Sequence, residues 1–362
     1  MDKKAKTLTR NTENGKVSMV LIPLLMLFVS FFMAGLLILA LGKNPLDAYR
    51  ALFIGAFGSR QAVISSVNKA IPICISAFAV GICSKVGVFN IGVEGQLMMG
   101  ALGAAIAGAY IKGLPSVIHI PVTLLCGMIF GALWGLLPSI CFLKRGTNIV
   151  VTNILFNVIS GYLLTFLING PFLGSDPMVA ATEKIEASAQ LPLLIGKPNK
   201  LSIAILIMLL VAVLLFVFIY KSTYGYEFRA TGLNRNASDY VGIRTGRYIF
   251  IALIISGMLA GLAGSLEITG NYYMLYDKFS PGYGYDGIPI SLLAQGNPWI
   301  CIAGGIIFGG LRAGSQNMQM RVGVQKEIVN VIQGLLILSI AAEPFFKYAL
   351  RKWRRRCRRN DR

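Results

Sequence analysis

Charged residues are scarce in this sequence: they make up 14% of 362 residues, whereas 55% are hydrophobic. Soluble proteins carry roughly a quarter charged residues, and disordered chains have low hydrophobicity. Both classes are therefore excluded. Long apolar stretches and 40 glycines are instead typical of a helical membrane protein.

Metal-binding and catalytic signatures are also lacking. The one histidine, His119, cannot form a His-rich site, and the six cysteines follow no disulfide or zinc spacing. The sequence contains no P-loop, no His-Glu-x-x-His and no Gly-x-Ser-x-Gly motif. We expect neither a bound metal nor an enzymatic activity, so energy must come from another chain or from an ion gradient.

Long apolar runs are the main feature that is present. A helix needs about 20 apolar residues to cross a bilayer. If the run 288–311 breaks at Gly296-Asn297-Pro298 into two short helices, ten spans result; otherwise eight or nine do. The predicted fold is an all-α integral membrane protein. The candidate stretches are 17–42, 61–84, 86–111, 113–143, 146–175, 201–220, 248–266, 288–311 and 328–342.

The net charge of +19 indicates the orientation of the chain. Because cytoplasmic loops collect Lys and Arg, we place a basic N-terminus (1–16), the 221–247 loop and a basic tail (347–362) in the cytoplasm. The 170–200 loop is neutral and predicted to lie outside, so the transmembrane domain covers 17–346 with both termini inside. The tail is expected to contact anionic lipid and not nucleic acid. Two basic loops, 42–60 and 312–327, come out external against this rule.

Two segments resemble each other. Phe89–Gln96 and Gly282–Ile288 each place one acidic residue, Glu94 or Asp286, directly before a glycine at the start of a small-residue helix. The spans before them are predicted to run in opposite directions. Such paired segments indicate an inverted repeat of the kind found in transporters, and the glycines favour close helix packing.

Carboxylates inside a membrane are costly, which makes them functional candidates. Glu94 and Asp286 qualify, with Glu267 as a third candidate. Glu94 could instead pair with Lys85 or Lys69, or hold a turn by accepting backbone N–H groups. Asp286 could instead cap the start of a helix.

Amide side chains form a polar minority among the apolar helices. Asn153 and Asn157 are four residues apart and share a helix face. This face could hydrogen-bond a polar solute in transit, or it could join two helices. The candidate residues of a solute path are Asn90, Glu94, Gln96, Asn153, Asn157 and Asp286.

The 221–247 loop is more patterned than a simple connection. A helical run is predicted to end at Gly232, and Asn234 or Asn236 can cap a second short helix. Gly242 is predicted to close that helix in the left-handed conformation. Such a loop could present a compact knob to a cytosolic partner, or it could be an ordinary hairpin on the membrane surface.

This loop resembles the coupling-helix region of ABC importer permeases of the branched-chain amino acid/ribose/nucleoside group. The pattern Arg-Ala-x-Gly-x-Asn-x-x-Ala-x-x-x-x-Gly-Ile runs from Arg229 to Ile243. Phe89–Gln96 is similar to the first signature of that group and Gly284–Ile288 to its second. The resemblance covers essentially the whole chain, and within the group it is strongest to the larger permease of bacterial nucleoside uptake systems.

The resemblance implies a permease of about ten helices in two inverted halves, located in a bacterial cytoplasmic membrane. It implies three kinds of partner: a second homologous permease subunit, a cytosolic ATP-binding subunit and an extracytoplasmic substrate-binding lipoprotein. Membrane lipids are a further expected partner because of the basic tail. This chain would bind no cofactor, since ATP and magnesium belong to the ATPase. The residues matching the coupling pattern are Arg229, Gly232, Asn234, Ala237, Gly242 and Ile243.

Two other functions stay open at this point. A ribose-type sugar or branched-chain amino acid permease would fit the same chemistry, because a separate binding protein selects the solute. An ion-coupled secondary transporter could use Glu94 and Asp286 as proton or sodium sites.

Overall fold

The computed structural model describes residues 29–176, 178–196, 200–325, 328–332 and 334–335. The chain divides into two compact units, one of residues 53–314 and one of residues 1–52 with 315–362. Most described residues are helical. The main helices are α1 (Val29–Ala40), α2 (Pro45–Phe57), α3 (Arg60–Lys85), α4 (Val93–Tyr110), α5 (Ser116–Arg145), α6 (Ile149–Asn169), α7 (Ala204–Lys221), α8 (Thr223–Leu233), α9 (Arg235–Tyr240), α10 (Thr245–Glu267), α11 (Tyr283–Leu293) and α12 (Pro298–Val322).

Five helices of the described residues are long and apolar enough to cross a membrane: α3, α5, α6, α7 and α10 with the turn that follows it. A sixth span results if α1 and α2, which are bent by 119°, count as one. The predicted helices at 61–84, 113–143, 146–175, 201–220 and 248–266 are confirmed. The larger number of about ten spans is not confirmed by length and composition.

The run 288–311 breaks where the sequence predicts. Helix α11 ends at Leu293 and α12 begins at Pro298, with Gly296 at a φ of +67° between them. Two loop predictions were wrong: α2 occupies most of 42–60, and α12 continues through 312–322. Helix α12 continues past Arg312, the charged residue that was taken as the end of an apolar run, whereas α2 is a separate helix that begins at Pro45 after a sharp bend.

Several predicted features fall on residues that are not described. These are the N-terminus 1–16, the first part of the stretch 17–42, most of the stretch 328–342 and the tail 347–362.

Helices α3 and α10 lie in the interior of the unit formed by residues 53–314. Of the most apolar window of each helix, 72% is buried, compared with 22% in α5. Helix α5 buries small residues such as Gly127, Gly131 and Gly135 and exposes large apolar ones such as Leu125 and Leu133. Lipid is as apolar as leucine, so membrane helices associate through close packing of small residues.

Glycines from three helices meet at one junction. If Gly261 of α10 carried a Cβ atom, that atom would overlap the backbone oxygen of Gly127 on α5. A Cβ at Gly100 of α4 would overlap the Cα of Gly261, and one at Gly131 would lie 2.7 Å from the same Cα. The prediction that these glycines allow close packing is confirmed, because no larger residue fits here.

The described residues of the 170–200 loop pack on the segment after α10. Strand β1 (Leu193–Ile195) pairs antiparallel with β2 (Leu201–Ser202). The backbone N–H of Thr182 donates to the carbonyl of Leu275 at 2.9 Å, and the N–H of Ile185 donates to that of Tyr273 at 2.9 Å. The two segments therefore lie at the same end of the helices.

We expect Gly261→Ala to destabilise the protein by about 1–3 kcal/mol, because an added methyl group has no space between α5 and α10. The matched control is Gly161→Ala on α6, where no atom lies within 4 Å of the added carbon. The thermal midpoint of the detergent-purified protein measures the effect. Equal midpoints for the two variants would contradict the packing interpretation.

Candidate functional site

The two similar segments of the sequence are in direct contact. Glu94, in the first turn of α4, is 2% exposed. Its Oε2 accepts a hydrogen bond from the backbone N–H of Gly284 at 2.6 Å, and its Oε1 accepts one from Ser280 Oγ at 2.6 Å. A Cβ at Gly284 would lie 2.5 Å from the Glu94 Cα, so glycine is needed for the approach. Glu94 thus fixes the start of α11.

Of the alternatives for Glu94, the structure therefore favours the one in which the carboxylate holds a turn. The turn belongs to α11 and not to Glu94's own helix, which sequence spacing could not reveal. In the described residues, the hydrogen bonds of its carboxylate come from Ser280 and Gly284 and not from the lysines considered as partners.

Asp286 forms a buried ion pair. Arg312 Nε lies 2.6 Å from Asp286 Oδ2 and Arg312 Nη2 lies 3.0 Å from Oδ1, with side chains 12% and 4% exposed. The alternative in which Asp286 caps a helix is not observed: Gly282 is the N-cap residue, and Asp286 lies inside the first turn of α11. The pair joins α11 to α12 with two charge-assisted hydrogen bonds.

Arg312 was missed by the sequence analysis, which assigned it to an external loop. One signal could have found it. The residues after it, Ala313, Gly314 and Ser315, continue the small-residue pattern of the preceding run, which is expected of a continuing membrane helix. A cation inside such a helix needs a partner, and Asp286 is the carboxylate that provides it.

The amides of the candidate path hold helices together. Asn90 Nδ2 donates to Ser256 Oγ at 2.8 Å and to Gln96 Oε1 at 3.3 Å. Asn90 Oδ1 accepts from Asn153 Nδ2 at 3.0 Å and from the N–H of Gly92 at 2.8 Å. Because Asn90, Gln96 and Asn153 are at most 1% exposed, this network connects the start of α4 with α6 and α10.

Asn157 extends the same network to α11. Its Oδ1 accepts from the backbone N–H of Gly95 at 2.9 Å, and its Nδ2 donates to the carbonyl of Ile91 at 3.0 Å and to Tyr285 Oη at 3.2 Å. The predicted shared face of Asn153 and Asn157 is confirmed, since both are buried on α6. All six candidate residues thus lie around the contact between the starts of α4 and α11.

The 221–247 loop forms two helices, α8 and α9, as the sequence predicts. Asn234 is the cap residue: its Oδ1 accepts from the backbone N–H of Ala237 at 3.1 Å. Gly242 has a φ of +90° and ends the second helix in the left-handed region. The backbone N–H of Ile243 then donates to the carbonyl of Ser238 at 3.0 Å, which closes the turn.

Helix α8 is anchored to three other helices. Phe228 is 1% exposed and packs edge-to-face on Phe218 of α7 at 5.4 Å and on Tyr248 of α10 at 5.8 Å between ring centroids. The Arg229 guanidinium lies 5.5 Å from the centroid of the Tyr220 ring. A Cβ at Gly232 would overlap the carbonyl oxygen of Lys85, so α8 touches the end of α3 without any side chain between them.

The α8–α9 knob, residues 223–242, exposes apolar side chains at its tip. Leu233, Tyr240 and Val241 are 88%, 93% and 72% exposed. Clustered exposed apolar residues mark interaction sites. The knob is therefore anchored at its base and has an exposed apolar tip.

We expect Arg312→Gln to destabilise the protein by about 3–5 kcal/mol, because the buried Asp286 carboxylate loses its cation. The double variant Asp286→Asn/Arg312→Gln removes both charges and should recover much of that loss. The thermal midpoints of the two single variants and the double variant measure this coupling. Simple addition of the two single losses would contradict a stabilising ion pair.

Known transport proteins are similar to this chain over most of its length. Residues 62–341 match the family described as branched-chain amino acid transport system / permease component. A guanosine ABC transporter permease of Bacillus subtilis is 32% identical over 346 residues, which cover 94% of this chain and 98% of the relative. A nucleoside ABC transporter permease of Lactococcus lactis is 30% identical, with 94% and 95% covered. A glucose ABC transporter permease of Haloferax volcanii is 29% identical, with 90% and 88% covered.

These matches confirm the resemblance that the three sequence segments indicated. The match covers more than two thirds of the chain and includes both signature segments and the α8–α9 knob. The chain belongs to the permease family of branched-chain amino acid transport systems.

Proposed function

We propose that this chain is a permease subunit of an ATP-driven importer and that it carries nucleosides across the cytoplasmic membrane. The observation that carries the proposal is the pair of relatives named for guanosine and nucleosides, each aligned over 94% of this chain. A nucleoside is neutral and polar, which agrees with the few charges inside the described helices. Family membership places the chain among permeases and not among enzymes.

The proposed architecture is about ten spans in two inverted halves within residues 17–346, flanked by cytoplasmic ends at 1–16 and 347–362. Two similar helix pairs, α3–α4 and α10–α11, support the inverted halves. Each is a long buried helix followed by a loop and a glycine-rich helix whose first turn holds an acidic residue. Short helices of this kind are tolerated at membrane depth because they are buried in protein.

The proposed complex contains a second homologous permease, cytosolic ATPase subunits that use ATP and magnesium, and an extracytoplasmic binding lipoprotein. The α8–α9 knob lies at the end of α7 and α10 opposite to the 170–200 loop. We assign the knob to the cytoplasm and to the ATPase, and we assign the loop to the outside. The exposed Leu233 and Tyr240 supply the apolar contact that such docking needs.

Coupling runs from the knob through α3. Movement of Gly232 displaces the end of α3 directly, since the two backbones touch. Helix α3 in turn packs against α11, where a Cβ at Gly287 would lie 2.6 Å from the backbone nitrogen of Ala77. Both of these contacts on α3 are made by backbone atoms with no flexible side chain between them, so the displacement reaches the contact between α4 and α11.

In this proposal, the candidate path residues position two helices beside the path of the solute. Asn90, Glu94, Gln96, Asn153, Asn157 and Asp286 position the starts of α4 and α11, and the solute passes beside them. The ion-coupled alternative has less support, because the oxygens of Glu94 and Asp286 already bind Ser280, Gly284 and Arg312.

Uptake in cells tests the proposed solute. We expect cells that lack this chain to lose uptake of labelled guanosine and to retain uptake of ribose, glucose and leucine. Restoring the chain on a plasmid should restore guanosine uptake. Unchanged guanosine uptake together with loss of one of the other three solutes would overturn the nucleoside assignment and leave the family intact.

A glycine substitution in the knob tests coupling. Gly242→Val forces a β-branched residue to a φ of +90°, a conformation that it resists, although no atom lies within 4 Å of the added carbon. We expect normal membrane levels, with uptake and solute-stimulated ATP hydrolysis reduced at least 10-fold. The matched control is Gly246→Val, which also has open space and lacks a positive φ. Absence of the Gly242 variant from the membrane would mean a structural role only.

A further inference from the structure

The six candidate path residues are too deeply buried to bind a solute themselves, since each is at most 5% exposed. A group that touches a passing solute must be a neighbour with accessible surface. Tyr285 is such a neighbour: it lies in the first turn of α11, between the buried Gly284 and Asp286, and is 42% exposed. The contact between the starts of α4 and α11 therefore presents an aromatic ring at its surface.

Asn157 holds the Tyr285 ring in place. The Asn157 Oδ1 accepts from the N–H of Gly95 and its Nδ2 donates to the carbonyl of Ile91, so a reversed amide would lose both bonds. In this orientation Nδ2 also donates to Tyr285 Oη at 3.2 Å. A phenol hydroxyl donates as well as accepts, and within the described residues the O–H hydrogen of Tyr285 has no acceptor. Tyr285 thus combines a positioned ring with one available donor.

The surroundings of Tyr285 are polar. The position that a Cβ atom of Gly282 would occupy lies 3.6 Å from Tyr285 Cδ2 and 3.5 Å from Arg312 Nη2, so the ring borders the ion pair of Asp286 and Arg312. Charged side chains within a membrane protein face its interior or a water-filled space. By contrast, Leu155, two positions from Asn157 and therefore on the other side of α6, is an exposed aliphatic residue of the kind that faces lipid.

A positioned aromatic ring with an available O–H group fits a ligand that has a flat face and hydrogen-bond acceptors. Every nucleobase has a π-face that stacks on aromatic side chains. The base edges also carry acceptors, such as N7 and O6 of guanine. The chemistry of Tyr285 therefore matches the base of a nucleoside.

We propose that Tyr285 is the residue at the contact between α4 and α11 that binds the nucleoside in transit: its ring stacks on the base and its O–H group donates to an acceptor of the base. The inference rests on the proposed nucleoside function. In the proposed complex the extracytoplasmic binding protein captures the solute, so a contact within the path changes the maximal rate of uptake and leaves the KM of uptake unchanged.

Thiol labelling of the whole transporter in membrane vesicles tests whether Tyr285 borders an aqueous path. A water-soluble methanethiosulfonate reagent modifies thiols that contact water and not thiols in lipid. We expect Tyr285→Cys to be labelled several-fold faster than the wild-type chain, and Leu155→Cys, the exposed control on α6, to be labelled no faster than wild type. Labelling of Tyr285→Cys at the wild-type rate would overturn the proposal, because the side chain would then face lipid or another subunit.

Uptake kinetics test the contact with the base. We expect Tyr285→Leu, which loses the ring, to lower the maximal rate of guanosine uptake about 10-fold. Tyr285→Phe, which loses only the hydroxyl, should lower it about 3-fold. Rates are expressed per transporter complex in the membrane, and KM should stay unchanged in both variants. The control is Tyr162→Leu, which removes an exposed tyrosine from α6 and should alter neither quantity.

Other results contradict the proposal. A normal rate per complex in Tyr285→Leu, with or without a smaller amount of complex, means that the ring only packs against lipid or the second permease. Equal losses in Tyr285→Leu and Tyr285→Phe refute stacking. If Tyr285→Leu yields no complex, Tyr285→Phe and the labelling of Tyr285→Cys decide. Wild-type vesicles that import no guanosine refute the proposed function instead.

Discussion

The hydrogen bond between the Glu94 carboxylate and the backbone N–H of Gly284 is the interaction on which the arrangement depends. The first turn of a helix leaves N–H groups without intrahelical partners, and a buried first turn such as that of α11 needs acceptors from the protein. Glu94 supplies one acceptor from another helix, and it also lies in the favourable field of a helix N-terminus. The first turn of α11 is thereby fixed to the first turn of α4, and the Asp286–Arg312 pair then orients α11 against α12.

Close backbone contact provides the rest of the rigidity. Glycines of α4, α5 and α10 bring three helices together with no side chain between them. The same device recurs where α8 meets α3 and where α3 meets α11. A protein interior packed in this way transmits displacement and does not absorb it, which agrees with the coupling role proposed for the α8–α9 knob.

Local features were the ones that the sequence predicted well. The Asn234 cap, the left-handed Gly242 and the break before Pro298 each depend on a few neighbouring residues, and all three are present. Features that depend on distant partners were not predictable. A cap stayed open as an alternative for Asp286 because its partner, Arg312, lies on another helix, and Glu94 binds residues almost 190 positions away. Hydropathy located the five long apolar helices. It also predicted a span at 86–111, but α4 is not apolar enough to qualify because its polar first turn, which includes Glu94 and Gln96, is buried in protein.

The hydrogen-bonded state of the buried Asn90, Gln96 and Asn153 has a consequence for the proposed solute path. Amide groups that are already satisfied gain little by exchanging one partner for another. A solute that passes beside them, as proposed, would therefore meet a shallow free-energy well and leave it quickly. Fast turnover needs sites that are weak enough to release their ligand, and a saturated lining provides that condition without any loss of order in the protein.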